Sequence, residues 1–255
     1  MATRLPKVCL FCQSTSNITA EHVLPESWRK VFGASLFDRT DSGWLINSDG
    51  KRTEVEKTVK AKPFGRKVRE VCGSCNNGWM SRLEEAAGPT IHDMARGTER
   101  VIARQELAHV GRWASKTAII IEALSKMRKG SSQDQRDALR ASITPPRLDV
   151  WAFPYTNGDT ISYHPTCEGP ILEDGTLRTY WITSIELFQV HILVLHFTEG
   201  LEVTFRNVDL ISPLGEPIQN ARYGLAWPPV SSSMGTPPMV RHRYVQQYLE
   251  ASVMR

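Results

Sequence analysis

Two pairs of cysteines share one spacing, Cys9-x-x-Cys12 and Cys72-x-x-Cys75. Each pair fits on one tight knuckle with both thiolates facing the same point, and four thiolates fill the tetrahedral sphere of a zinc ion. No coordination position is left open, so the ion implied is structural. In a small unit with little core of its own, its binding free energy becomes folding free energy. In a cytosolic chain the pattern reads as a metal site rather than a disulfide framework, and neither pair has the βαβ surroundings of a redox motif. The fifth cysteine, Cys167, stands alone between Thr166 and Glu168 and reads as a small buried residue. Between the pairs lies Glu21-His22-Val23-Leu24-Pro25, and Asn76-Asn77-Gly78-Trp79 follows Cys75 directly. A neutral imidazole is suited to take a proton from water near pH 7. One carboxylate and one amide oxygen suffice for a hard cation such as Mg2+, which keeps several of its waters.

The order of these pieces resembles the HNH endonuclease family in its zinc-containing form, the ββα-metal nucleases. That pattern is a first CxxC, an acid-His pair followed by two apolar residues and Pro, then a second CxxC followed at once by Asn. Here those are Cys9/Cys12, Glu21-His22-Val23-Leu24-Pro25, and Cys72-Gly73-Ser74-Cys75-Asn76. The resemblance covers about residues 7–87. It implies metal-dependent hydrolysis of phosphodiester bonds in nucleic acid, DNA favoured over RNA, leaving 5′-phosphate and 3′-hydroxyl ends. It assigns His22 as the base that activates water, and Glu21 and Asn76 as ligands of a catalytic divalent cation, Mg2+ or Mn2+. Zinc on Cys9, Cys12, Cys72 and Cys75 would then hold Asn76 towards the hairpin carrying Glu21 and His22. The family context of phages, mobile elements and antiviral defence comes with the resemblance.

Three departures stand beside it. The acid before the base is more often Asp, and Glu21 is one methylene longer. The family's second Asn, which orients the base from the strand before the last CxxC, has no counterpart in Arg66–Val71. The spacing from His22 to Cys72 is longer than the compact motif, so an insertion splits the hairpin. Two other functions stay open. One is a non-cutting, zinc-stabilised nucleic-acid-binding module, with His22 a satisfied histidine, Glu21 solvated and Asn76 capping the helix that follows. The other is a nuclease effector controlled by a protein or ligand partner of the C-terminal half. Asn77 is the neighbouring alternative to Asn76.

The elements that must position these residues are partly readable. Lys67–Val71 reads as a strand running into the second cysteine pair, and Asn77–Ala87 as a helix stopped by Gly88-Pro89. Glu26–Phe32 suits a helical turn carrying Trp28. Residues 34–66 form an insertion with strand-like pieces at Gly43–Ile46 and Thr53–Val59 around an Asn47–Gly50 turn. Gln105–Ser125 has Leu107, Val110, Ala114, Thr117, Ile121 and Leu124 at helical spacing, and Gln133–Ala141 is a second helix. Beyond Pro145-Pro146 the pattern turns to strands: Leu148–Phe153, Thr160–His164, Tyr180–Phe188, Val190–Phe197 and Leu201–Val208. Arg241–Val253 suits a closing helix. The chain is therefore expected to be α+β. A zinc-stapled ββα nuclease unit and a helical segment, 99–141, make a first domain, 1–144. An antiparallel β-rich domain of regulatory or oligomerising role, 145–255, follows.

Charge agrees with an anionic partner for the first half. The net charge of +4 divides unevenly, with 22 Lys and Arg against 14 Asp and Glu in residues 1–130, and 9 against 13 in residues 131–255. A basic segment from Lys51 to Arg82 would attract a phosphate backbone or be a solvated surface. No apolar run approaches the roughly 20 residues of a membrane span, and the N-terminal residues lack a signal-like apolar core. The expectation is a cytoplasmic protein with no membrane partner. Among other residues, His191 and His196 fall on opposite faces of one strand, Trp28 and Trp79 suit the small core, His92 a structural place, and His109 and Trp113 a packed pair.

Overall fold

The computed structural model describes residues 7–32, 41–46, 52–57, 63–124, 130–154, 161–173, 176–197, 218 and 225–227. Strand β1 (Ile18–His22) pairs antiparallel with β4 (Lys67–Cys72), Ile18 opposite Cys72 and His22 opposite Lys67, with an irregularity between Thr19 and Glu21. Between them the chain forms helix α1 (Trp28–Phe32) and a separate hairpin, β2 (Asp41–Ile46) with β3 (Arg52–Lys57). The insertion thus splits one strand pair and carries another. Its Asn47–Gly50 turn lies outside the described residues.

After β4 the chain passes through a helical turn, α2 (Gly73–Cys75), and a wider turn at Asn76–Met80, where Gly78 leaves helical geometry. Helix α3 (Ser81–Arg96) follows. The sequence places a stop at Gly88-Pro89; the helix instead runs through both and ends at Gly97, whose φ of 66° closes the left-handed cap. Proline inside a helix costs about 3 kcal/mol or more. Burial of Leu83, Ala87, Ile91, Met94 and Ala95 along one face outweighs it. A Cβ at Gly88 would stand 3.5 Å from Trp28 Nε1, an ordinary contact distance, so the packing against Trp28 does not itself demand glycine.

Strand β5 (Arg100–Ile102) pairs with β10 (Leu225–Trp227). Helix α4 (Arg104–Leu124) is buried through most of its second half, Trp113 to Glu122. Helix α5 (Gln133–Arg140) opens on a capping box in which the Ser132 side chain accepts from Gln135 N and the Gln135 side chain accepts from Ser132 N. The remaining strands, β6 (Leu148–Pro154), β7 (Ile161–Glu173), β8 (Thr176–Leu187) and β9 (Val190–Phe197), form an antiparallel sheet in the order β6-β9-β8-β7. The fold is α+β. Leu201–Val208 and Arg241–Val253 lie outside the described residues.

Helix α4 packs against this sheet and against α3, so one apolar cluster runs from Cys9 through Trp113 to Val194 and Ile218. Trp28 stacks on Trp113 at 5.0 Å between centroids and meets His92 edge-on at 5.0 Å. Trp113 therefore serves the joint between α1 and α4, and His92 fills an aromatic cluster. His191 Nε2 lies 2.6 Å from Ser184 Oγ, whereas His196 faces Glu122 at 3.9 Å, in keeping with opposite faces of β9.

Candidate functional site

The four cysteines converge. The sulfurs of Cys9, Cys12, Cys72 and Cys75 all lie within 4.8 Å of one another, and Cys12 and Cys72 are 3.5 Å apart. Neighbouring sulfurs of a tetrahedral zinc site, with Zn–S about 2.3 Å, stand about 3.8 Å apart. The tetrad fits a structural zinc ion. Its two knuckles are tied to the strands that lead to them: Leu10 N donates to Glu70 O at 2.6 Å and Gly73 N to Asn17 O at 2.9 Å. Burial opposes ionisation of Cys9, yet backbone contacts from Cys12, Cys72 and Phe11 bring its thiol down to about 7. Burial pushes the thiols of Cys12 and Cys75 up.

Strand β1 carries Glu21 and His22 in opposite directions, as adjacent strand residues must be. Glu21 turns inward and is 4% exposed, so it is not the solvated carboxylate of the non-cutting alternative. Its Oε1 lies 3.5 Å from the ammonium of Lys116 on α4, which is fully buried. The same Lys116 Nζ donates to Glu84 Oε1 on α3 at 2.7 Å. Burial raises the pKa of Glu21, with Lys116 pulling it down and Glu84 pushing it further up.

His22 sits at the partly exposed edge of this cluster. Its buried Nε2 has no hydrogen-bond partner, although Glu26 Oε2 stands 3.3 Å away, out of line for a bond. Burial lowers its pKa, and Lys67 lowers it further against Glu26 and Glu84. Burial and Lys67 thus favour the neutral imidazole, which has one nitrogen able to accept a proton.

Asn76 follows the tetrad and reaches back to β1, its Nδ2 donating to Thr19 Oγ1 at 3.2 Å. The Thr19 hydroxyl in turn donates to Val71 O at 3.1 Å. Asn76 does not cap a helix with its side chain: no side-chain bond caps either turn of 73–80. Glu21 and His22 thus sit next to each other on β1, and Asn76 is tied by its side chain to Thr19 of the same strand, where β1, β4 and the turn leading into α3 meet. Donor chemistry suits a hard cation there, one carboxylate and one amide oxygen, and Glu21 already faces one cation, the Lys116 ammonium.

Sequence reasoning passed over Glu84 and Lys116. A signal was present in the run Trp113-Ala114-Ser115-Lys116-Thr117-Ala118-Ile119-Ile120-Ile121. A lysine within so apolar a stretch of helix must bury its charge and find a carboxylate. Beside this seam, the half-buried Trp79 meets Phe11 edge-on at 5.1 Å and packs against the core from its edge. His109, with Arg82 and Arg112, lines a shallow cleft between α3 and α4. Among the described residues no helix is long and apolar enough to cross a membrane. Compared with protein-family models, curated proteins and solved structures, the chain matches none.

Proposed function

We propose that the chain is a metal-dependent endonuclease that hydrolyses phosphodiester bonds of nucleic acid, DNA before RNA. The observation that supports the reading is that the strand carrying Glu21 and His22 pairs with the strand leading into a zinc-ready cysteine tetrad, and that Asn76, next to the tetrad, bonds back to Thr19 of the same strand. His22, whose burial favours the neutral imidazole and whose Nε2 makes no hydrogen bond though Glu26 stands 3.3 Å away, takes the proton of an attacking water. Lys67, opposite His22 across the strand pair, and the Arg82–Arg112 cleft offer positive charge to a phosphate backbone. Mg2+ or Mn2+ held by Glu21 and Asn76 would offset the negative charge that builds on the phosphoryl and leaving oxygens. The tetrad holds Asn76 and β4 in register. In this reading the unit formed by β1, β4 and α3 is the ββα-metal unit of the HNH family.

A second reading has one observation in its favour. Glu21 is enclosed and already paired with Lys116, as suits a module that grips nucleic acid without cutting it. Incubating the zinc-loaded protein with plasmid and single-stranded DNA in Mg2+, Mn2+ or EDTA, beside His22→Ala, separates the two. Metal-dependent cutting lost in the variant is the expected result. Binding of DNA by both proteins with no cutting by either overturns the nuclease reading.

A further inference from the structure

Two carboxylates from different elements, Glu21 on β1 and Glu84 on α3, converge on a single ammonium with no surface exposure, 3.5 Å and 2.7 Å away. Burying an ammonium is expensive unless carboxylates surround it, so the two carboxylates are placed to hold a positive charge. Two carboxylates and one ammonium leave the trio with one negative charge. Glu84 keeps 22% of its side chain exposed, against 6% for Glu21, and so forms the side of the pocket open to solvent. It is also close enough to act electrostatically on both Glu21 and His22. A cation arriving from outside meets Glu84 first.

We infer that Glu84 is a further ligand of the divalent cation, and that the Lys116 ammonium holds the cation's place between Glu84 and Glu21 and competes with the metal for them. The inference rests on the cation site of the proposed function and is independent of whether DNA is cut. It assigns a role to a carboxylate outside the motif, and it makes the resting site one that fills only when metal outbids a built-in counter-charge.

The test is Mn2+ binding to the zinc-loaded full chain, followed by the loss of the free Mn2+ paramagnetic resonance signal. The proteins are wild type, Lys116→Met, Glu84→Gln and the double variant. Lys116→Met is expected to bind Mn2+ at least about tenfold more tightly, since a repelling charge within 4 Å has gone. Glu84→Gln is expected to bind at least about tenfold more weakly, and to erase the gain when combined with Lys116→Met. Equal or weaker binding by Lys116→Met, or unchanged binding by Glu84→Gln, overturns the inference. Should Lys116→Met fail to fold alone, its refolding is followed with and without Mn2+. Recovery that depends on both Mn2+ and Glu84 supports the competition, and refolding indifferent to Mn2+ refutes it. Plasmid cleavage measured in parallel keeps the two readings apart. The expected Mn2+ pattern without cutting removes the nuclease and leaves this inference standing. Cutting that needs His22, with Mn2+ affinity indifferent to residues 84 and 116, does the reverse.

Discussion

Thr19 and Asn76 are joined across the junction between strand and helix, the amide nitrogen of Asn76 donating to the Thr19 hydroxyl at 3.2 Å. Because that hydroxyl is itself fixed on Val71 O at 3.1 Å, it can only accept from Asn76. The bond therefore settles which end of the amide faces Thr19, with the oxygen turned away from that bond. Thr19→Val keeps the shape and removes the acceptor. It is expected to lower Mn2+ affinity and metal-dependent cleavage about 10- to 100-fold, with zinc content and melting temperature little changed. Thr19→Ser, which retains the hydroxyl, should restore both. Full activity in Thr19→Val would separate Asn76 from the metal.

The tetrad brings together residues 9–12 and 72–75, far apart in sequence. Metal content of the purified protein should be one zinc per chain. Stripping it with a strong chelator, or replacing Cys72 by Ser, should unfold the region of β1, β4 and α3, because structural zinc contributes an apparent 10–16 kcal/mol, roughly, in small zinc domains. Far-ultraviolet circular dichroism with and without chelator reads this directly. A protein free of metal whose melting temperature ignores the chelator would rule out the zinc.

Gly97 ends α3 at φ 66°, and a Cβ there would collide with the Gln189 side chain from the turn between β8 and β9. The same turn donates from Gln189 N to Ala95 O at 3.1 Å, so the end of the helix is docked on the sheet. Gly97→Ala should cost about 1–2 kcal/mol for the left-handed backbone alone, and more for the contact. In urea unfolding, adding Gln189→Ala should return only the contact part. Equal stability of Gly97→Ala and wild type would contradict this placement.

His92 lies among Trp28 and Phe32, at 5.0 and 5.1 Å between ring centroids. Burial lowers its pKa from the ordinary 6.5, aided by Arg96 and opposed by Asp93. A base whose folded value is depressed contributes stability that is complete above the unfolded value and is lost as pH falls through the folded one. Wild-type stability should therefore decline below pH 6.5, by at most about 1.4 kcal/mol per pH unit for this group. In His92→Gln the decline should be shallower by that amount. Parallel curves for the two proteins would show that His92 carries no proton linkage.

The parts of this fold most legible from sequence are those with local causes. The paired CxxC spacing places two thiolates on each knuckle whatever the rest of the chain does, and the tetrad forms. The apolar period of α4 and the Ser132 cap of α5 likewise act within a few residues. The errors come from long-range packing. Gly88-Pro89 reads as a stop because its local cost is real, but the buried face of α3 overrides it. Glu84 and Lys116 are ordinary helix residues by type, and they become a pair only when α3 lies against α4. Glu21 was legible as a candidate ligand, whereas its neighbour Lys116 comes from 95 positions along the chain and no motif carries it.

Phe32 and Phe64 stack at 6.3 Å, the two ends of the segment that holds the β2–β3 hairpin. The two ends of that segment thus stand together, and β2 within it lies near β7 of the main sheet. Closing a loop costs free energy only as the logarithm of its length, and here both ends are pinned by ring packing that owes nothing to what lies between. With Phe32 and Phe64 holding the two ends, a change in the length of residues 33–63 is expected to leave the cysteines, Glu21 and His22 in place at little cost in stability.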